Sequence, residues 1–488
     1  MNAFVNAAAR TPQPSLVART ANGMRARTST SSAAVDLFGS IGAMRGQDVI
    51  PAFKRAFDEN VDLALRVAQW ARDVRGGSGE RQLYRNILLF LEREQPQILL
   101  ESRLLDNLPE LGRFDDLFIF NTPEVKARAY QVLIRELRAG NGLAAKWAPR
   151  KGQIAIDLRN AMGLTPKQYR KLIVGLTNVV ETDMCARNWN EINFSHVPSL
   201  AMTKYMTAFH RNAPEAFEAY KAALKRNDGS AKVNAGAVYP HQVIQKLGSA
   251  TGWSHEFTVN RENETVAEAM WEALPNYMND RNVLPMVDVS GSMSSPAGGR
   301  ASKSSVTCMD VSTALGLYAA TKSTGAFKDM VLTFSGNSEL YKLQGSSIGD
   351  KVQYMHRKGS DWGMNTNLHR AFEQILTHAL RYSVPAEDMP AMLLILSDMQ
   401  FDYCVRHDDS ALQMIRRKYE DAGYELPQLV FWNLNDSGNK PVSFRDNGTA
   451  LVSGFSPALM ESVLAVDLDK FTPEAVMLKA VGKERYNW

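Results

Sequence analysis

Cysteine is scarce in this chain, and long apolar runs and histidines at ligand spacing are missing. The three cysteines, Cys185, Cys308 and Cys404, stand far apart and form no Cys-x-x-Cys pair. That excludes a disulfide framework or a cysteine-based zinc site, and fits a reducing, cytoplasmic setting. No apolar run approaches the ~20 residues that span a bilayer, so no membrane partner is expected. The eight histidines show no His-x-x-x-His spacing, which leaves them structural roles by default. Acidic residues are absent before Asp36, where Arg10, Arg19, Arg25 and Arg27 stand among Ala, Ser and Thr. A transit peptide shares this composition, but so does a flexible nucleic-acid-binding arm, and residues 1–35 are read as that arm.

What is present is the composition of a globular protein, 45% hydrophobic and 22% charged over 488 residues, enough for two or three domains. The net charge of +4 conceals an asymmetry. Residues 1–250 hold 34 Lys and Arg against 23 Asp and Glu, a net of +11, while residues 251–488 hold 22 against 29, a net of −7. A basic first half allows a polyanionic partner; an evenly solvated basic surface would look the same.

From residue 36 to about 279 the signals are helical. Phe53, Phe57, Val61, Ala64 and Ala68 recur at helical spacing, as do Leu83, Ile87 and Leu91. Thr122-Pro123, Thr165-Pro166 and Pro214 mark helix starts, because proline has no amide to leave unpaired there. Gly140 marks a stop. Successive short helices without a fixed period predict an α-helical repeat stack. From residue 280 to 488 apolar runs of strand length, Val283–Val287, Met330–Phe334, Met392–Leu396 and Leu429–Leu434, alternate with helical stretches 309–322, 367–380, 409–422 and 457–463. That alternation predicts an α/β, doubly wound, mostly parallel sheet. Pro285 resists this, since proline removes a ladder donor from the first strand.

The first run ends in Asp288-Val289-Ser290-Gly291-Ser292-Met293, and ligands of a doubly wound sheet collect at such carboxyl ends. An Asp and two hydroxyls spaced by two can aim three oxygens at one point. Asn365-Thr366-Asn367 offers the Thr366 hydroxyl, and the run 392–396 ends in Ser397-Asp398. Asp288, Ser290, Ser292, Thr366 and Asp398 together form the metal-ion-dependent adhesion site pattern, suited to a hard divalent cation, Mg²⁺ first. Ser290, Ser292 and Thr366 would bind directly, with Asp288 and Asp398 acting through waters and hydroxyls. One coordination position would stay open for a carboxylate or phosphate oxygen. An aspartyl-phosphate mechanism of the haloacid dehalogenase kind needs Asp where Ser290 stands. A nucleophile elbow needs glycine at Met286 or Val287, and an EF-hand needs more carboxylates. No catalysis is therefore expected.

The segments Val287–Met293 and Leu396–Met399 resemble the von Willebrand A domain of the Ro autoantigen (TROVE-domain) group. The likeness is to its phage and plant branch, known only as a domain of unknown function. Arg72–Arg81, Trp189–Phe194, Val197-Pro198-Ser199 and Asn22-Gly23 with the Ser/Thr-rich stretch after it also resemble segments of that branch. The resemblance implies HEAT-like helical repeats folded into a ring, closed by the von Willebrand domain, and binding of single-stranded or misfolded RNA in a ribonucleoprotein.

Basic and aromatic clusters supply the candidate RNA contacts: Arg72, Arg75 and Arg81 around the glycine loop, Lys146, Arg150 and Lys151 beside Trp147, Arg187 with Trp189, and Lys204, His210 and Arg211 near Tyr205. Loop amides of Gly76-Gly77-Ser78-Gly79 could cradle a phosphate, or simply make a tight turn. The loop lacks the Gly-Lys-Ser/Thr ending of a P-loop. Tryptophans 147 and 189 could stack on bases or belong to the core. An alternative from another class is a protein adaptor whose cation captures a partner's Asp or Glu. A third option is a structural component of a larger particle.

Overall fold

The computed structural model describes residues 17–21, 23, 25–250, 256–278, 282–297, 306–334, 338–359, 368–401, 411–435 and 438–488. Short helices follow one another from Ala33–Ile41 to Glu264–Glu272. Their ends follow local chemistry. Helix Pro123–Arg138 begins with its proline in the first turn behind Thr122. Thr165 caps Pro166–Leu176, its hydroxyl accepting the Gln168 amide at 3.3 Å while the Gln168 side chain takes the Thr165 amide at 2.9 Å. Asn227, left-handed at φ 49°, closes Pro214–Arg226. The periodic run through Phe53 and Val61 is two helices, Ile50–Glu59 and Val61–Arg72. Asn60 turns extended between them and accepts the Leu63 amide at 3.0 Å, which swings Val61 out to 38% exposure.

Two short antiparallel hairpins come first in the strand count, β1 (Val17–Arg19) with β2 (Arg25–Arg27), and β3 (Gly248–Ala250) with β4 (Phe257–Val259). The main sheet contains β5 (Val283–Asp288), β6 (Met330–Phe334), β7 (Leu340–Lys342), β8 (Met392–Ser397), β9 (Gln428–Asn433) and β10 (Thr449–Ser453). Its order is β10-β9-β8-β5-β6-β7, parallel throughout except for the β6–β7 pair. Alternate residues serve opposite faces. Leu284, Met286, Leu393, Ile395 and Phe431 pack under helices Leu368–Arg381 and Ala411–Asp421, while Val283, Val287, Leu394, Leu396 and Trp432 face the other way. Both faces are buried, as a doubly wound sheet requires. Pro285 fits because it pairs with Leu394 of β8 one residue before the β6 ladder starts at Met286, so its missing amide takes no rung from that side.

The chain leaves β5 to one side, for β6 and β7, then returns to β8 on the other side. The carboxyl ends of β5 and β8 are therefore the switch point of the sheet.

The two halves share one apolar core, which runs from Ala34 through the helices to one sheet face and on to Tyr486. Helix Ala33–Ile41 flanks β10: Asn433 Nδ2 donates to the Gly39 carbonyl at 3.3 Å, and Ser453 Oγ donates to the Phe38 carbonyl at 2.9 Å. At the other end, Trp271 Nε1 donates to Thr321 Oγ1 at 3.2 Å and Tyr318 OH donates to the Pro275 carbonyl at 2.6 Å. The helical path also returns on itself. Tyr239 OH donates to the Ser78 carbonyl at 3.3 Å, and Arg45 and His241 both lie against the Phe455 ring.

Residues 17–35, expected to be part of a flexible arm, are docked over their described positions. Arg27 and Lys440 exchange backbone bonds of 2.9 Å each, and Phe444 N donates to the Thr30 carbonyl at 3.0 Å. The segment belongs with the α/β domain, because a three-residue ribbon has too little surface to hold itself. Residues 1–16 lie outside the described residues.

Candidate metal centre and basic surface

At the switch point β5 ends in Asp288, fully buried, and the chain turns through a short helical turn, Gly291–Ser294. The Asp288 carboxylate fixes this turn by accepting the Ser290 amide at 2.9 Å. Its other oxygen accepts the Ser397 hydroxyl at 2.5 Å, tying the ends of β5 and β8 together. The hydroxyls of Ser290 and Ser292 stand 3.0 Å apart, and Ser292 hydrogen-bonds the Asp398 carboxylate. Burial, then the charge of Asp398, pushes the Asp288 carboxyl up to about 7. Burial raises Asp398 as well. Among the described residues no Lys, Arg or His forms an ion pair with Asp288. Two close, buried carboxylates surrounded by hydroxyls make an oxygen-only donor set whose electrostatics improve when a hard cation enters.

Four of the five expected ligands, Asp288, Ser290, Ser292 and Asp398, are thus brought together. Thr366 lies outside the described residues. Ser397 was not singled out in the sequence as a functional side chain; a serine between an apolar strand and an aspartate was the signal for it. Among the described residues no group of three or more His, Cys, Asp or Glu side chains is arranged to hold a metal. Nearby Cys308 is buried, and burial first, then the charges of Asp398 and Asp288, pushes its thiol up to about 12, so it is no nucleophile.

The expected RNA contacts divide into two sets. Arg72 is corrected by the structure: its side chain is 2% exposed and paired with Asp116, out of reach of any phosphate. Arg81 is partly exposed and paired with Asp115 and Asp116, and Arg75 donates to the Glu110 carbonyl at 3.1 Å. Two of the four amides of the Gly76–Gly79 loop are engaged within the fold. Within the glycine loop, Ser78 N donates to Trp70 O at 3.4 Å, Gly79 N to Asp73 O at 3.1 Å, and the next amide, Glu80 N, to Ala71 O at 2.6 Å. Ser78 Oγ reaches the Ser453 carbonyl at 3.1 Å, so the loop is a joint onto the sheet.

The second set lies further along. Arg150, Lys151, Arg187, Lys204 and Arg211 are exposed, and none has an ion pair among the described residues. Arg187 is left-handed (φ 64°) at the end of helix Val180–Ala186, and Lys204 lies 4.9 Å from the Tyr205 ring. Lys146 pairs with Glu181 at 3.3 Å. Trp147 lies beneath the Arg113 guanidinium at 4.3 Å, and both Trp147 and Trp189 pack partly buried against the core. His210 meets Phe217 edge-on, and burial, then Lys221, lowers its pKa, so it stays neutral.

The class defined by fold and rim is a helical stack joined to a doubly wound α/β domain with an oxygen-rich switch point. Two family models match this chain. One described as Domain of unknown function (DUF2828) covers residues 157–284, and one described as Domain of unknown function (DUF7788) covers residues 282–485. The chain is 28% identical over 519 residues to "Uncharacterized protein L728" of Acanthamoeba polyphaga mimivirus, across 94% of this chain and 86% of that protein. Among solved structures it is similar to the Ro (RSR) protein of Deinococcus radiodurans, with TM-score 0.45 and 14% identity, over 93% of this chain and 100% of the other. Among the described residues no helix is long and apolar enough to cross a membrane.

Proposed function

We propose that the chain is a non-catalytic RNA-binding protein whose helical half meets RNA phosphates and whose α/β domain holds a divalent cation, Mg²⁺ the expected species. The observation that carries this reading is the set of five exposed cations, Arg150, Lys151, Arg187, Lys204 and Arg211, lacking ion-pair partners among the described residues of a half with net charge +11. Unneutralised exposed charge attracts a polyanion, and phosphate recognition needs no further chemistry. The sequence resemblance to the Ro group agrees with it. At the rim, Ser290 and Ser292 would offer hydroxyl oxygens to the cation, with Asp288 and Asp398 orienting them and balancing its charge. A bound cation there would act as a Lewis-acidic docking point.

The test is a salt-titrated binding assay of the full-length chain with a single-stranded RNA oligonucleotide. Each neutralised phosphate should contribute ~0.7 to the negative slope of log K against log salt. No binding at low salt would overturn the reading. A second reading, a protein adaptor, draws on the oxygen-only rim of Asp288, Ser290, Ser292 and Asp398, where a bound cation would leave a position open for a partner's Asp or Glu. It would be favoured by Mg²⁺-dependent capture of an acidic peptide by a chain that ignores RNA.

A further inference from the structure

We propose that the N-terminal hairpin clamps the loop carrying Asp398, and that Thr20 is a positioning residue for the cation rim; this rests on the cation reading above. The loop after β8 has an unusual backbone. Met399, buried and not glycine, is left-handed at φ 63°. An L side chain in that region is strained, and persists only where its surroundings over-determine it.

Two bonds from within the loop do part of this. Met399 N donates to Ser397 Oγ at 3.1 Å, and Gln400 N donates to Asp398 Oδ1 at 3.2 Å. The remainder comes from nearly four hundred positions away. The Thr20 hydroxyl, buried, donates to the Phe401 carbonyl at 2.6 Å, and the Ala21 amide donates to Gln400 Oε1 at 2.8 Å. Phe401 is itself buried against Phe431, ring centroids 6.1 Å apart. The loop is therefore gripped on both sides, by the sheet and by the turn between β1 and β2. That turn is in turn held by the Arg27–Lys440 backbone exchange.

A hard cation tolerates only small errors in donor position, and removing groups that orient donors typically weakens binding tenfold or more. Releasing Phe401 and Gln400 lets Met399 relax toward an ordinary conformation and turns Asp398 with it.

The experiment titrates the full-length chain with Mn²⁺, followed by electron paramagnetic resonance, and with Mg²⁺, followed by calorimetry. Thr20→Val keeps the shape of the side chain and loses the donor, while Thr20→Ser keeps the donor. Thr20→Val should bind about tenfold more weakly, and Thr20→Ser should stay near wild type, with both melting close to wild type in EDTA. Gln400→Ala should shift affinity the same way, and covers the case in which Thr20→Val does not fold. Unchanged affinity in Thr20→Val or Gln400→Ala, or equal weakening in both Thr20 variants, would overturn the clamp. A wild-type chain that takes up neither ion removes the cation reading itself, and the clamp with it.

Discussion

Arg72 turns both its Nε and an Nη onto one oxygen of Asp116, at 2.9 and 2.7 Å, in a site that water does not reach. The second oxygen accepts Arg85 Nε at 2.6 Å and Arg81 Nε at 3.4 Å. Burial raises the Asp116 pKa, but Arg72 and Arg85 outweigh it and leave the carboxyl below its usual range. Truncating one member of a buried pair leaves the other charge stranded, which typically costs about 3–5 kcal/mol. Arg72→Ala should therefore lose most of its stability in urea denaturation. The molecules that remain folded should bind RNA with wild-type affinity; a selective loss of RNA binding would return Arg72 to the interface.

Replacing the exposed cations should do the reverse. Arg150, Lys151, Arg187 and Arg211 changed together to Gln should leave the melting temperature near wild type and weaken RNA binding. The salt dependence should flatten by ~0.7 for each phosphate contact removed. An unchanged slope would place RNA elsewhere.

Chelation separates the rim from the rest. Adding Mg²⁺ to protein stripped with EDTA should raise the melting temperature, because a ligand bound only by the folded state stabilises it. Asp288→Asn should melt at the same temperature with and without Mg²⁺. A melting temperature of the wild type that is indifferent to Mg²⁺ would count against the site.

Acid should destabilise the joint between the halves through His241. Burial first, then the charge of Arg45, pushes its pKa down to about 3 from the 6.5 of an exposed imidazole. The unfolded chain takes up the proton that the fold refuses. Stability from this residue is thus complete above pH ~6.5 and declines by ~1.4 kcal/mol per unit as pH falls toward 3. His241→Leu should flatten that part of the stability profile relative to wild type in chemical denaturation. An identical acid slope would place the titration elsewhere.

Close approach supplies another test. A Cβ built on Gly42 would lie 2.4 Å from the Ser453 carbonyl oxygen and 2.7 Å from Gly454 Cα, both backbone atoms. Gly42→Ala must push helix Ala33–Ile41 off β10, at about 1–3 kcal/mol. Urea denaturation gives the value, and a neutral result would mean that the two elements part easily.

Local chemistry was legible in the sequence, and long-range chemistry was not. Thr122-Pro123, Thr165-Pro166 and Pro214 marked helix starts correctly because a proline in the first turn is a local device. The runs at 283–287, 330–334, 392–396 and 429–434 marked strands because both sheet faces are buried and need continuous apolar residues. β10 escaped, being five residues between Gly448 and Gly454 whose burial depends on helix Ala33–Ile41. The rim motif could be read since strand ends are where ligands gather, and Asp288, Ser290, Ser292 and Asp398 do meet. Arg72 misled for the opposite reason. Whether an arginine faces water or Asp116 depends on a partner 44 positions away, and no local pattern records it.

Helix Ala33–Ile41 completes the flank of a strand that begins at Thr449, so the helix must wait for a partner made several hundred residues later. During translation that helix emerges without its docking surface, and this edge of the sheet closes only once β10 has been made. Loop closure over such a span is slow and leaves apolar surface bare in the meantime. Cutting the gene near position 280 should therefore yield fragments that precipitate alone, and recover a native-like sheet only when both are refolded together.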